Sequence, residues 1–258
     1  MKTLLRAVVV VGMGWCAVAG VGQTGSVAPA AAAPAQAPVS VEKQLAAAQA
    51  KLMDWAQLNR FKAGDAAMAA PAAGEQRVVF FGDSITEGWG RPGNSFFPGK
   101  PYVNRGISGQ TSAQMVVRFH QDVVDLHPSV VVILAGTNDV AENTGPMTEE
   151  MTLDDFRAMA EMAQANGVKV VICAIPPAAD FSWRPGLGPA AKIRSLNARL
   201  EAWCKAEGIV WVDYYTPLAD ADGGMKPGLS LDGVHPTAAG YAIMAPLAEA
   251  GIQKALTK

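Results

Sequence analysis

The chain has 258 residues, 50% hydrophobic and 17% charged, with a formal net charge of -2. That balance suits one globular domain with a sizeable core. It argues against nucleic acid as a partner, because phosphate binding needs clustered Lys and Arg.

The first residues read as an address rather than structure. Lys2 and Arg6 form a basic start, Leu4 to Val21 is mostly apolar, and Ala17-Val18-Ala19 offers a small-x-small cleavage site, with a second ending at Gly22. Residues 1–22 are therefore expected to be a signal peptide, and the protein to be periplasmic or secreted. The segment is marginal in length and glycine-rich for an anchor, so no stable membrane span is expected in the mature chain. Trp15 is too large to precede a lipoprotein cysteine at Cys16. Export permits a disulfide. Cys173 falls in an apolar strand and Cys204 in a helix interior, however, and both read as free buried thiols.

Residues 23–40 are Ala, Pro, Gly and little else, a linker with no core to bury. Val41 to Met68 reads as one helix, since Leu45, Leu52, Trp55, Leu58 and Phe61 recur at helical steps. With its Ala-rich connector it makes residues 41–76 an outer element of the domain that fills 77–258.

Val78 to Phe81 is apolar without alternation, as a strand buried on both faces should be. It stops at Gly82-Asp83-Ser84, which leaves Ser84 just past the strand's carboxyl end, where open α/β sheets bind ligands. A serine there is either a helix N-cap or a nucleophile. The loop Gly88 to Pro101 carries Trp89, Phe96 and Phe97, which either wall a pocket or close the core. Tyr102 to Arg105 is the second strand, followed by Gly106-Ile107-Ser108-Gly109-Gln110. Thr111 or Ser112 then caps a helix through Val116, Phe119 and Val123.

Ser129 to Ala135 is the third strand and ends at Gly136-Thr137-Asn138-Asp139. A helix over Thr148 to Ala165 leads to a fourth strand, Val168 to Ile175, and a second long loop with Phe181 and Trp183. A helix over Ala190 to Glu207, a fifth strand over Ile209 to Val212 and a last helix from Thr237 complete the chain. This alternation predicts a parallel sheet covered by helices on both faces. Right-handed crossovers put every strand's carboxyl end on one edge. Ser84, Gly109, Asn138 and the turn Asp232-Gly233-Val234-His235-Pro236 all fall there.

A hydroxyl is a poor nucleophile until an oriented base takes its proton. Ser84 is the candidate nucleophile, His235 the base and Asp232 its orienter. The Ser84 and Gly109 backbone amides and the Asn138 side chain are the candidate oxyanion donors. Taken singly, Asn138 equally reads as a turn residue and His235 as a helix-start residue. His120 and His127 read as surface or partly buried residues, too widely spaced for a metal pair.

Four blocks in order resemble the GDSL-type, or SGNH, esterases and lipases: Gly82-Asp83-Ser84-Ile85 (Ile where Leu is usual), Gly106-Ile107-Ser108-Gly109, Gly136-Thr137-Asn138-Asp139 and Asp232-Gly233-Val234-His235-Pro236. The resemblance spans Val78 to about Leu256. It implies a three-layer α/β/α flavodoxin-like fold of about five parallel strands. It also implies ester hydrolysis with no metal or other cofactor, Ser84, Asp232 and His235 as catalytic residues, and a structural Asp83. Family substrates range over acylglycerols, lysophospholipids, thioesters and acetylated sugars. The loops Gly88–Pro101, Val140–Met147 and Pro176–Pro189 are modest and show no hydrophobic lid. They favour a small-molecule or carbohydrate ester with a short acyl group, acetyl above all. The alternatives are a lysophospholipase or thioesterase, an acyltransferase that passes the acyl group to an alcohol, and a non-catalytic module holding a phosphate-bearing ligand at Gly106 to Gly109. The last leaves the Asp-x-x-His turn unexplained. No feature bears on the oligomeric state.

Overall fold

The computed structural model describes residues 40–258. The expected signal peptide and nearly all of the linker, residues 1–39, lie outside the described residues. Helix α1 covers Val41–Met53 and buries none of its residues. The single helix expected to reach Met68 stops there, because the Asp54 carboxylate accepts from the Leu58 and Asn59 amides at 2.7 and 3.1 Å. Such a side chain offers the backbone an alternative to the helix ladder. The carbonyls of Trp55, Ala56 and Leu58 accept instead from Gln114, Gln110 and Gln121 side chains at 2.6, 2.8 and 2.6 Å. A short helix α2, Lys62–Ala66, follows.

The sheet then builds as expected. Strands β1 (Val78–Gly82), β2 (Tyr102–Gly106), β3 (Val130–Leu134), β4 (Lys169–Cys173) and β5 (Val210–Val212) pair in the order β2-β1-β3-β4-β5. Every pairing is parallel. Between and after them run α3 (Ser84–Trp89), α4 (Ser112–Asp122), α5 (Thr137–Val140), α6 (Glu149–Ala165), α7 (Pro189–Glu207), α8 (Tyr215–Leu218) and α9 (Ala238–Leu256). Helices α3, α5 and α8 are too short for a hydrophobic period to reveal them, and each follows a strand end.

Successive strand residues face opposite sides of the sheet. Val79, Phe81, Val131, Ile133 and Ile172 pack with Phe119, Phe156 and Leu200 on one side. Val78, Phe80, Val132, Val171 and Val212 pack with Trp89, Tyr241 and Ile252 on the other. Cys204 belongs to the first layer and Cys173 to the second, so the sheet separates two free, buried thiols. Burial pushes both up to about 12, which keeps them protonated and inert. Trp89, Phe96 and Phe97 form an aromatic cluster around Phe80 and close this second layer, the core-closing alternative of the two. Among the described residues no helix is long and apolar enough to cross a membrane.

A charged pair lies wholly inside this core. Arg118 and Asp122, one helical turn apart on α4, are both 0% exposed and meet at 2.9 Å. Removing one partner of such a pair strands a charge. Arg118→Met should therefore destabilise the protein by about 3–5 kcal/mol in urea unfolding. Adding Asp122→Leu to that variant should recover a large part of the loss. A single variant as stable as the parent would show that the pair does not hold the core.

Candidate active site

The site starts where β1 ends. Asp83, not Ser84, is the N-cap of α3: its Oδ1 accepts from the Ile85 amide at 2.9 Å. Ser84 is thus the first helical residue, with a hydroxyl free of capping duty and an amide that has no acceptor within the helix. On the far side of the chain, Asp232 closes an Asx-type turn. Its Oδ1 accepts from the Val234 and His235 amides at 3.0 and 2.8 Å. Gly233 makes the turn possible at φ 83°, a left-handed value that glycine adopts without strain.

The other carboxylate oxygen, Oδ2, lies 2.6 Å from His235 Nδ1, and His235 Nε2 lies 2.9 Å from Ser84 Oγ. Partial burial works against the Asp232 charge. The His235 amide and ring and the Val234 amide outweigh it and hold the carboxyl down at about 2. An ionised carboxylate only accepts hydrogen bonds, so Nδ1 carries the ring hydrogen and Nε2 is left to accept from Ser84.

Two contacts hold the turn against the start of α3. Tyr241 on α9, just after His235, donates its hydroxyl to the Ile85 carbonyl at 2.7 Å. Its ring stacks on Trp89 at 5.0 Å, at the other end of α3. Ser84, Gly109, Asn138 and His235 line one cavity of about 600 Å³, with Trp183 and Arg91 on its walls. Gly109 sits at φ 79° with open space where a Cβ would point.

Asn138 is 2% exposed. Its Nδ2 donates to the Gln110 carbonyl at 2.9 Å and to Asp83 Oδ2 at 3.2 Å, so both hydrogens have partners in the free protein. The third block's Asp139 is also buried and accepts from the Ser112 amide at 3.1 Å, which seats the start of α4 against α5. The residues that the sequence places at this edge are therefore together in space. His120 and His127 are exposed and away from it. Sequence reasoning missed Arg118, Gln110 and Asn143; the i,i+4 spacing of Arg118 and Asp122 was a local signal, but the contacts that tie these residues to the site are long-range. Among the described residues no group of three or more His, Cys, Asp or Glu side chains converges as a metal site would.

The model of the GDSL-like lipase/acylhydrolase family matches residues 80–243. A GDSL-like lipase from Bacteroides thetaiotaomicron is 48% identical, with a TM-score of 0.75 over 78% of this chain and 99% of that one. A protein assigned as an acylhydrolase from Bacteroides fragilis is 45% identical, with a TM-score of 0.76 over 79% of this chain and 99% of its own. Esterase TesA of Pseudomonas aeruginosa is 30% identical over 141 residues, 53% of this chain and 62% of TesA. The chain thus spans less than two thirds of that curated relative.

Asp83 makes the site's electrostatics measurable. Complete burial pushes its carboxyl up to about 7, against the Ile85 amide, which favours the charged form. The unfolded value is about 3.9, so between these limits the folded state binds more protons than the unfolded one. Stability contributed by Asp83 should thus be full below pH ~4 and fall as pH rises to ~7. Urea midpoints from pH 5 to 7 should decline less steeply in Asp83→Asn than in the parent. Equal slopes would refute a buried, proton-binding Asp83.

Proposed function

Because the chain belongs to the GDSL-like lipase/acylhydrolase family, we propose that it is a serine esterase acting on carboxylic esters through Ser84, His235 and Asp232. The observation that carries this reading is the line from Asp232 Oδ2 through the His235 ring to Ser84 Oγ, at 2.6 and 2.9 Å. Ser84 Oγ attacks the ester carbonyl while Nε2 takes its proton. The carbonyl π pair moves to oxygen, and the resulting oxyanion accepts from the Ser84 and Gly109 amides and from Asn138 Nδ2. Asn138 exchanges its longer bond, that to Asp83, for the oxyanion. Asp232 remains charged and stabilises the imidazolium. The alcohol leaves with the proton from Nε2, and a water activated by the same nitrogen hydrolyses the acyl-serine.

The favoured substrate is a short acyl ester, acetyl above all, on a small or carbohydrate alcohol. The cavity is open, and its walls set Arg91 and Ser108 beside the apolar Trp183, Leu231 and Pro236, a mixed lining that supports a polar alcohol carrying a small acyl group. Export follows from the basic, apolar and small-residue regions met in order at residues 1–22. N-terminal sequencing of the mature protein should begin near Gly20 to Thr24; a retained Met1 would end the export reading.

Ser84→Ala should lower turnover of a short-chain ester by about 10⁵-fold or more. Since Asp83 caps α3, the substitution should change stability by no more than about 0.5 kcal/mol. An organophosphonate should label Ser84 covalently, and His235→Ala should suppress that labelling. Parental turnover by a folded Ser84→Ala protein would place the chemistry elsewhere.

A further inference from the structure

Five residues past Asn138 the chain doubles back on itself. Helix α5 ends in a Schellman arrangement: the Glu142 amide donates to the Asp139 carbonyl at 2.9 Å and the Asn143 amide to the Asn138 carbonyl at 3.0 Å. The left-handed position of this motif is normally glycine. Here it is Glu142 at φ 55°, a strained conformation for a residue with a side chain. Glu142 is held there from the opposite loop by Arg184 at 3.2 Å. The return brings the Asn143 side chain over Asn138. Its Nδ2 donates to Asn138 Oδ1 at 2.7 Å and to the Gly109 carbonyl at 3.3 Å. Its own Oδ1 accepts from Trp183 Nε1 at 3.0 Å. Trp183 is in turn fixed by stacking on Phe181, with ring centres 5.0 Å apart.

We propose that Asn143 is a positioning residue: held by the Trp183 indole, it fixes the amide plane of Asn138 so that Nδ2 is presented to the developing oxyanion. A primary amide turned over about its terminal torsion would put oxygen where the donor must be. Rotation of Asn138 is opposed on both sides, by Asn143 at its oxygen and by Gln110 and Asp83 at its nitrogen. Once Nδ2 gives up its bond to Asp83 for the oxyanion, only the Gln110 bond remains at the nitrogen, and the Asn143 bond carries a larger share in keeping the oxygen turned away. The 2.7 Å contact is thus needed most in the transition state. The cavity wall and the oxyanion donor are joined by one side chain, so a substrate that displaces Trp183 disturbs the donor as well.

This inference rests on the oxyanion role of Asn138 proposed above, and the test separates the two. Asn143→Asp keeps an acceptor for Trp183 Nε1 but removes the donor to Asn138, whereas Trp183→Phe keeps the stack on Phe181 and removes the indole N–H. Asn143→Asp and Asn143→Ala should each lower kcat about 10-fold or more with KM within about twofold, the scale of one hydrogen bond expressed in the transition state. Trp183→Phe should lower kcat less than either. In an Asn138→Ala background, Asn143→Ala should add almost nothing, because it acts through the amide already removed. Thermal unfolding of each variant separates lost structure from lost positioning, and the Asn143→Asp protein is expected to melt within a few degrees of the parent. If Asn138→Ala costs turnover but Asn143→Asp leaves kcat unchanged, or if the losses multiply in the double variant, the positioning role is wrong while the oxyanion reading stands. If Asn138→Ala itself leaves kcat unchanged, the oxyanion reading fails first.

Discussion

The guanidinium of Arg118 is the constraint on which the geometry of this site depends. It is wholly buried, so its donors must be satisfied inside the protein. They reach Gln110 Oε1 at 2.5 Å, Asp122 Oδ2 at 2.9 Å and the Gly82 carbonyl at 2.9 Å. Its flat face lies 4.1 Å from the centre of the Phe81 ring. Gly82 is the last residue of β1, two before Ser84, and Gln110 directly follows Gly109. One planar cation therefore sets the spacing between the strand end that carries the nucleophile candidate and the loop that carries a candidate oxyanion donor. Gln110 extends the same reach, since its main-chain carbonyl accepts from Asn138 Nδ2. A lysine could not replace this group, because an ammonium lacks the fixed fork that serves partners in one plane.

Close packing at two glycines does the rest. A Cβ on Gly106 would lie 2.1 Å from the Glu87 backbone nitrogen, and one on Gly82 would lie 2.1 Å from Thr86 Oγ1. Both glycines are needed for contact rather than for an unusual torsion: they let α3 settle directly onto the ends of β1 and β2. From there Glu87 reaches the Ser108 amide at 2.7 Å and pins the start of the Gly109 loop to the helix that bears Ser84. The first and second sequence blocks are thus two sides of one tightly packed joint.

The parts legible in the sequence are those whose cause is local. An unbroken apolar run such as Val78 to Phe81 announces a strand buried on both faces, and the alternation of such runs with helical segments fixes a parallel sheet. The Asp232 to His235 turn is equally local, because the carboxylate bonds amides two and three residues ahead of it. The stretch after Met53 misled for a matching reason. Its apolar spacing continues the helical period through Trp55, Leu58 and Phe61, yet three carbonyls there belong to glutamines on or beside α4. Their partners are more than fifty residues away, at separations of 54, 59 and 63. Arg118 and Asn143 were illegible because the partners that give them their roles, Gly82 for one and Gly109 and Trp183 for the other, lie 34 to 40 residues away. A buried arginine on a helix looks like a surface residue until the helix is placed, and an asparagine after a turn looks like a turn residue until Trp183 is brought to it.

The two halves of the site are consequently built with different robustness. The Asp232–His235 unit is local: its ring and amide bonds join residues no more than three apart, and the carboxyl is held at about 2 by groups from its own turn. That unit can persist wherever the turn does. The bond from His235 to Ser84 spans 151 residues and has no local support. Its length depends on the Tyr241 hydroxyl on the Ile85 carbonyl, on the Trp89–Tyr241 stack, and on the Arg118 network that fixes the end of β1. Loosening of tertiary packing therefore separates Ser84 from His235 while His235 and Asp232 stay paired. The aromatic layer behind α3, which includes Trp89, Phe96 and Phe97, is part of the machinery for that reason although none of its side chains lines the cavity.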